Sequence, residues 1–210
     1  MSKFPDPPGR GLLATRLLPD VKVLRAGTVV WRIYQRGGAH PTGWNRFRHW
    51  GPARNGRFDH HGEPPREQTR GILYAGLRIY TCFAEVFQDA RTIERSRNLP
   101  WLAGIPLARD VSLVDLTGTW PTRAGASMAI NSGRRDRARA WSRRIYEDYP
   151  AIDGIYYPSS MDGNQPVVAI YERARTALAA RAVFQRALAD PALNGAVAKA
   201  ALLFNYLVES

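Results

Sequence analysis

The sequence predicts a single α+β domain. Three observations carry that expectation. The chain has 210 residues, 45% hydrophobic and 10% aromatic, which suffices for one sizeable core and is short for two. Strand-like apolar runs occur at both ends of the body, with helix-period segments between them. No internal repeat or low-complexity segment interrupts the pattern. The same composition excludes a disordered tail protein. The single cysteine, Cys82, excludes a disulfide scaffold and points to a reducing, cytoplasmic compartment. No apolar run reaches membrane-spanning length, so no membrane partner is expected. The opening MSKFPDPPGRGLLATRLLPD is broken by Pro and Gly and lacks a signal-peptide core, so secretion is not expected either.

Residues 1–26 read as a leader whose apolar stretch, Leu12 to Leu18, can dock on the body. Thr28 to Tyr34 (TVVWRIY) is β-branched and aromatic, a strand. Residues 35–70, rich in Gly, Pro, His and Arg, form a long irregular segment of the kind that carries function in compact domains. Gly71 to Ala75 is a short buried strand. Thr81 to about Arg95 reads as a helix, with Thr81 as N-cap and Phe83, Phe87 and Ala90 on one face. Trp101–Leu107 and Val111–Leu116 are strands. Ser132 to about Asp148 is a helix capped by Ser132. Ala138, Trp141 and Ile145 form its buried stripe, and arginines cover its other faces. Ile155–Tyr157 and Val167–Tyr171 are strands flanking the loop 158–166. Two helices, about 176–189 and 193–207, close the chain around Asp190-Pro191. The expected division is a leader (1–26), a catalytic body (27–175) and C-terminal helices packed on it (176–210).

The formal net charge is +12, and all but three of the 30 basic residues (Lys3, Lys22, Lys199) are arginine. Such a balance fits an anionic partner: nucleic acid, a phosphorylated ligand or an acidic protein. It also fits a compositional bias toward arginine. No helix-turn-helix or zinc-finger spacing is present, so a non-enzymatic nucleic-acid binder is the weaker alternative and direct nucleic-acid binding is not expected.

Four local features can carry chemistry. Arg32 interrupts an apolar strand, on the same face as Val30 and Tyr34. That face either meets solvent or binds an anion, because an unpaired buried charge costs several kcal/mol. Gly56-Arg57-Phe58-Asp59 suits a fork-shaped grip on phosphate, or is a surface turn. The adjacent His60-His61 has no second ligand cluster at metal spacing, so no metal is expected. Glu85 sits among apolar neighbours and is not the capping-box partner of Thr81, whose position is Ala84. It can act on a developing cation, or be an exposed helix glutamate. Ser159, at a strand end before a Gly-containing loop, marks a ligand-binding edge or a simple turn. No Ser-His-Asp triad is present.

Taken in order, Arg32, Glu85 and Ser159 resemble the RES domain family. The segments WRIYQ (31–35), GRFDHH (56–61), GILYAG (71–76), TCFAEVF (81–87), RAWSRRIYEDYPAIDGIYYPSS (139–160) and VVAIYE (167–172) carry the resemblance over about residues 28–175. It implies an ADP-ribosyltransferase-like mixed sheet with flanking helices. It further implies a bacterial toxin that depletes NAD+ by cleaving the nicotinamide–ribose bond, by phosphorolysis or hydrolysis, opposed by an Xre-type antitoxin. Carried over by motif, Glu85, Arg32 and Ser159 are the catalytic set. Arg57, Tyr74, Tyr34 and Ser160 are the NAD+ contacts. Ser160 directly after Ser159 leaves the serine register open by one residue. NAD+ would be substrate rather than cofactor, with inorganic phosphate as a candidate co-substrate. A mono-ADP-ribosyltransferase acting on a protein shares these residues and is the alternative. Homo-oligomerisation is a further expectation.

The chemistry suits those residue types. Two arginines can clamp a pyrophosphate, and a tyrosine ring can stack on nicotinamide. The glycosidic bond breaks through an oxocarbenium-like state that a carboxylate stabilises. Nicotinamide leaves readily, so neither a second carboxylate nor a catalytic histidine is needed.

Overall fold

The β-branched run at 28–34 becomes β2 (Val29–Gln35), inside a nine-stranded sheet. The computed structural model describes residues 3–210. The sheet runs β1 (Val21–Leu24), β7 (Val111–Asp115), β8 (Gly154–Pro158), β9 (Pro166–Tyr171), β4 (Arg66–Gly76), β2, β6 (Pro100–Pro106), β10 (Phe184–Ala187), with β3 (Arg48–Gly51) also paired to β4. β7 and β8 are parallel and the other pairings are antiparallel. A small second sheet pairs β5 (Thr92–Glu94) with β11 (Leu207–Glu209) in parallel. The helices are α1 (Leu12–Arg16), α2 (Ile79–Val86), α3 (Trp120–Arg123), α4 (Arg135–Asp148) and α5 (Asn194–Phe204). This mixed sheet with flanking helices is the expected α+β class. Among the described residues, no helix is long and apolar enough to cross a membrane.

Successive side chains of a strand point to opposite faces, so a continuous apolar run such as β9 makes the sheet apolar on both. Along β9, Val167, Ala169 and Tyr171 join Trp141 and Ile145 of α4 in one core. Val168 and Ile170 join Val30, Tyr34 and Leu73 in another. A third core packs Ile33 and Leu102 against Phe83 of α2 and Val197 of α5. Each fully buried large side chain contributes about 1.5–3 kcal/mol. β2 and β4 share a single register pair, Trp31 with Gly76, and then part, with side chains of both strands lining the cavity described below.

The leader is built into this body. Asp148 of α4 accepts from the amides of Gly11 (2.8 Å) and Leu13 (3.0 Å), which start α1. Trp141 Nε1 donates to Pro5 O (2.9 Å), and residues 21–24 add edge strand β1 to β7.

Three local expectations are corrected. Helix 81–95 is displaced to 79–86. Thr81 is not its N-cap but is buried and donates to Asp162 Oδ2 (2.7 Å). Arg91 then adopts a left-handed φ of 52°, and the β-branched Thr92 and Ile93 enter β5. Ser132 does not cap α4, because the helix begins at Arg135 with Arg134 as its uncapped N-cap. The helix expected over 176–189 does not form. A 3-10 segment, Glu172–Ala177, leads into β10, which closes the sheet edge on β6. The alanine-rich periodicity there is overridden by burial of Leu178, which bridges to Leu107, and by pairing of Phe184 with Gly104. The closing segment is therefore one helix with two strands. On that helix Val197 is buried as expected for core, whereas Leu202 is 85% exposed.

Gly154 marks the tightest backbone approach in the central sheet. A Cβ placed there would lie 2.2 Å from Ala169 O, on the neighbouring strand. Gly154→Ala is therefore expected to cost about 3 kcal/mol through overpacking. That should lower the melting temperature by about 6–12 °C, measured by thermal unfolding.

Candidate active site

A cavity of about 740 Å³ opens between β2, β4, α2, the 41–57 segment and the start of α4. Pockets of this size commonly hold small-molecule ligands. Arg32, Arg57, Tyr74, Glu85 and Ser160 all line it. Tyr34 does not. Its ring lies in the core with Val30 and Leu73, and its hydroxyl accepts from Gln185 Nε2.

Glu85 and Ser159 meet although they lie 74 residues apart. α2 buries Cys82, Phe83 and Ala84, which turns Glu85 to the cavity. β8 delivers Ser159 at its end, fully buried. Ser159 Oγ donates to Glu85 Oε1 at 2.5 Å and accepts from the amides of Met161 and Asp162, each at 3.1 Å. The serine is thus a relay between loop amides and the carboxylate. Ser160 is exposed on the cavity wall, so the two serines hold different positions. Burial pushes the Glu85 carboxyl up, while Ser159, Arg57 and Arg135 pull it down without fully compensating.

The face of β2 that carries Arg32 is covered, which resolves the choice left open by alternation. Arg32 Nη1 donates to the carbonyls of Gly43 (3.3 Å), Trp44 (3.2 Å) and Arg46 (2.8 Å). Burial, with Arg48 nearby, pushes its guanidinium down to about 10, still a cation at neutral pH. Arg57 Nη1 donates to Gly133 O (2.7 Å), ahead of α4. Burial and then the like charge of Arg135 lower its pKa.

Below Arg57 lies the fully buried Asp59. It accepts two bonds from Arg48 Nη2 (2.7 and 2.8 Å), one from Ala53 N (2.6 Å) and one from Tyr74 Oη (2.8 Å). Burial pushes this carboxyl up, yet the Arg48 charge and these donors hold it below its ordinary value. Gly56 is required here, since a Cβ would lie 2.1 Å from Asp59 Oδ1. The close approach that glycine permits at this position is made by the Asp59 carboxylate. Tyr74 Oη also accepts from Phe58 N (3.0 Å), so the hydroxyl is committed to the wall.

Sequence reasoning missed Arg48, Asp59, Asn131, Arg135 and Tyr157. Asp59 stood beside Arg57 in the GRFD motif, but its partners lie on other elements. Tyr157 lines the cavity and packs edge-on against Phe58, with ring centroids 4.6 Å apart. The arginine faces of α4 are not simply solvated. Arg139 donates to the carbonyls of Gly56, Ala53 and Arg54, Arg143 to that of His61, and Arg137 to that of Phe4.

His60 is fully buried, with its ring 4.3 Å from that of Tyr146 and Nε2 at 3.0 Å from Glu172 Oε2. Glu172 also accepts from Gly71 N (2.9 Å) and Tyr146 Oη (2.5 Å). Among the described residues, no group of three or more His, Cys, Asp or Glu side chains is placed to hold a metal ion.

A profile of the RES domain matches residues 29–192. None of the curated proteins matches the chain. Among solved structures, a chain of the M. tuberculosis MbcT–MbcA toxin–antitoxin complex shares the fold, with a TM-score of 0.54 at 16% identity. The match covers 78% of this chain and 85% of that one.

Two outcomes follow from the geometry. Tyr74→Phe strips a donor from Asp59 and an acceptor from Phe58 N, so it should destabilise the fold by about 1–3 kcal/mol in denaturant titration. His60 gives a pH signature. Burial pushes it down to about 4, against the opposing pull of Glu172. The unfolded chain then takes the proton first, so stability is complete above about pH 6.5 and falls as pH drops toward 4. For Glu172, burial alone would raise the pKa, but the donors hold it at about 2, so its contribution is lost only between about pH 4.5 and 2. The melting temperature of His60→Gln should therefore depend less on pH between 6.5 and 4 than that of the wild type.

Proposed function

The chain belongs to the RES domain family, and from that membership we propose that it is the toxin of a toxin–antitoxin pair that cleaves NAD+ at the nicotinamide–ribose bond. The observation that carries this proposal is the 2.5 Å bond from Ser159 to Glu85 on a wall flanked by arginines. A carboxylate oriented in advance, beside a cavity with cationic walls, suits a reaction that develops positive charge on a sugar whose neighbour is a pyrophosphate.

In the proposed step the C–N bond breaks and its electron pair leaves with nicotinamide, which departs neutral. The ribosyl carbon becomes oxocarbenium-like and is stabilised by the Glu85 carboxylate. Ser159 keeps that carboxylate in one rotamer, so little reorganisation is needed as charge develops. Donors of Arg32 and Arg57 not spent on carbonyls can hold the pyrophosphate. The Tyr74 ring, fixed through its hydroxyl, offers a stacking face, since the hydroxyl itself is spent on Asp59. An acceptor, water or inorganic phosphate, then bonds to the ribosyl carbon and releases its proton. A protein acceptor would make the chain a mono-ADP-ribosyltransferase. The fold shared with a chain of a toxin–antitoxin complex supports an antitoxin partner, and the family resemblance points to an Xre-type one.

Purified protein freed of antitoxin should release nicotinamide from NAD+. Parallel incubations with and without inorganic phosphate identify the acceptor from the ribosyl product, and label retained on protein would reveal transfer instead. No nicotinamide under either condition would sink the proposal. Glu85→Gln should lose at least about 100-fold in kcat. Ser159→Ala should lose roughly 10- to 100-fold, the worth of a hydrogen bond to a charged group.

A further inference from the structure

The start of α4 presents polar groups to the cavity that the assigned set does not use. Arg135, the first residue of α4, lines the cavity and has no hydrogen-bond or ion-pair partner among the described residues. Its neighbour Arg57 spends one nitrogen on Gly133 O and has no ion pair among the described residues. The two guanidinium groups are close enough for Arg135 to depress the Arg57 pKa, and both act on Glu85 without a salt bridge to it. The one acidic group in the first turn, Asp136, pairs with Arg134 instead. Like charges facing a common space favour an anion between them.

A second observation is independent of charge. Asn131 lines the same cavity at 6% exposure. Its Nδ2 donates to Leu116 O (3.0 Å), which fixes the amide, and Oδ1 is left buried without a partner. A buried acceptor left unpaired costs about 1–3 kcal/mol, so a ligand O–H or N–H is the natural complement. A cation pair beside an unpaired acceptor matches a phosphate group next to a hydroxyl.

We propose that Arg57, Arg135 and Asn131 form a phosphate subsite of this cavity, with the two arginines on the phosphate oxygens and Asn131 Oδ1 accepting from a hydroxyl beside it. The phosphate can come from a nucleotide, whose ribose supplies the hydroxyl, or from inorganic phosphate, whose own P–OH supplies it. The inference rests on reading the cavity as a nucleotide site. Its test uses binding, so that its failure and the failure of NAD+ cleavage are told apart.

Arg135 is exposed and unbonded, so Arg135→Gln should fold with an unchanged melting temperature. Calorimetric titration of the full chain with ADP-ribose and, separately, with inorganic phosphate reads the subsite. About tenfold weaker ADP-ribose binding in Arg135→Gln, partly restored in Arg135→Lys, assigns the subsite to the nucleotide's phosphate. The same loss for inorganic phosphate, with ADP-ribose unchanged, assigns it to the free ion. Asn131→Asp, which places an anion beside the phosphate, should weaken whichever probe binds by more than tenfold. Equal affinities in wild type and Arg135→Gln for both probes, or no binding of either probe to the wild type, would overturn the proposal. If these losses are seen in a chain that releases no nicotinamide, the subsite stands and the cleavage reaction does not.

Discussion

The cavity depends on one buried charge. Asp59 is fully buried, and a lone carboxylate there would be strongly destabilising. Four donated bonds from Arg48, Ala53 and Tyr74 offset that cost. These partners come from β3, the following loop and β4, so satisfying one carboxylate fixes three pieces of the cavity wall together. Gly56 yields its side-chain volume to that carboxylate, and Arg57, the next residue in the chain, lines the cavity. Removing one partner would leave an uncompensated charge. The arrangement therefore tolerates substitution poorly at any of its members, even those that never meet a ligand.

The same logic of prior satisfaction governs the reacting side. Ser159 accepts hydrogen bonds from two loop amides and donates one from its hydroxyl to Glu85. Thr81 ties the first turn of α2 to Asp162 in that loop. Helix and loop are thus joined twice, through Thr81–Asp162 and through Glu85–Ser159, which restrains Glu85 from turning toward Arg57 or Arg135. A carboxylate kept from pairing with nearby arginines keeps its charge available to a cation formed in the cavity. The arginines in turn stay available to anions. Both polarities coexist on one wall because each carboxylate has its own bound partner.

What the sequence disclosed follows from the range of the interactions involved. β2, β6, β7, β8 and β9 are legible because alternation and β-branching are local. The helix expected at 176–189 and the length of α2 are not, because β10 and β5 exist only through distant strands, β6 and β11. Glu85 and Ser159 each looked ambiguous alone, and their order within the family resemblance singled them out. Their direct contact needed the fold. Asp59 and Arg48 were invisible as a pair, since nothing local links positions 48, 59 and 74. Tyr34 shared a face with Arg32, as alternation required, but that face turns into the core there rather than into the cavity.

The arginine excess acquires a structural meaning from the 41–62 segment. Irregular backbone placed against a domain presents carbonyls without ladder partners, and these must be met. Arg32 meets three of them, and Arg139 another three. A guanidinium carries five donors in a planar fork and can span several carbonyls at once, which a lysine ammonium on a flexible stem does less well. Lysine at these positions would keep the charge and lose the span. The charge of +12 is then in part a consequence of holding a long irregular segment in place, and the guanidinium donors left unspent by that task, those of Arg135 above all, remain free to recognise a ligand.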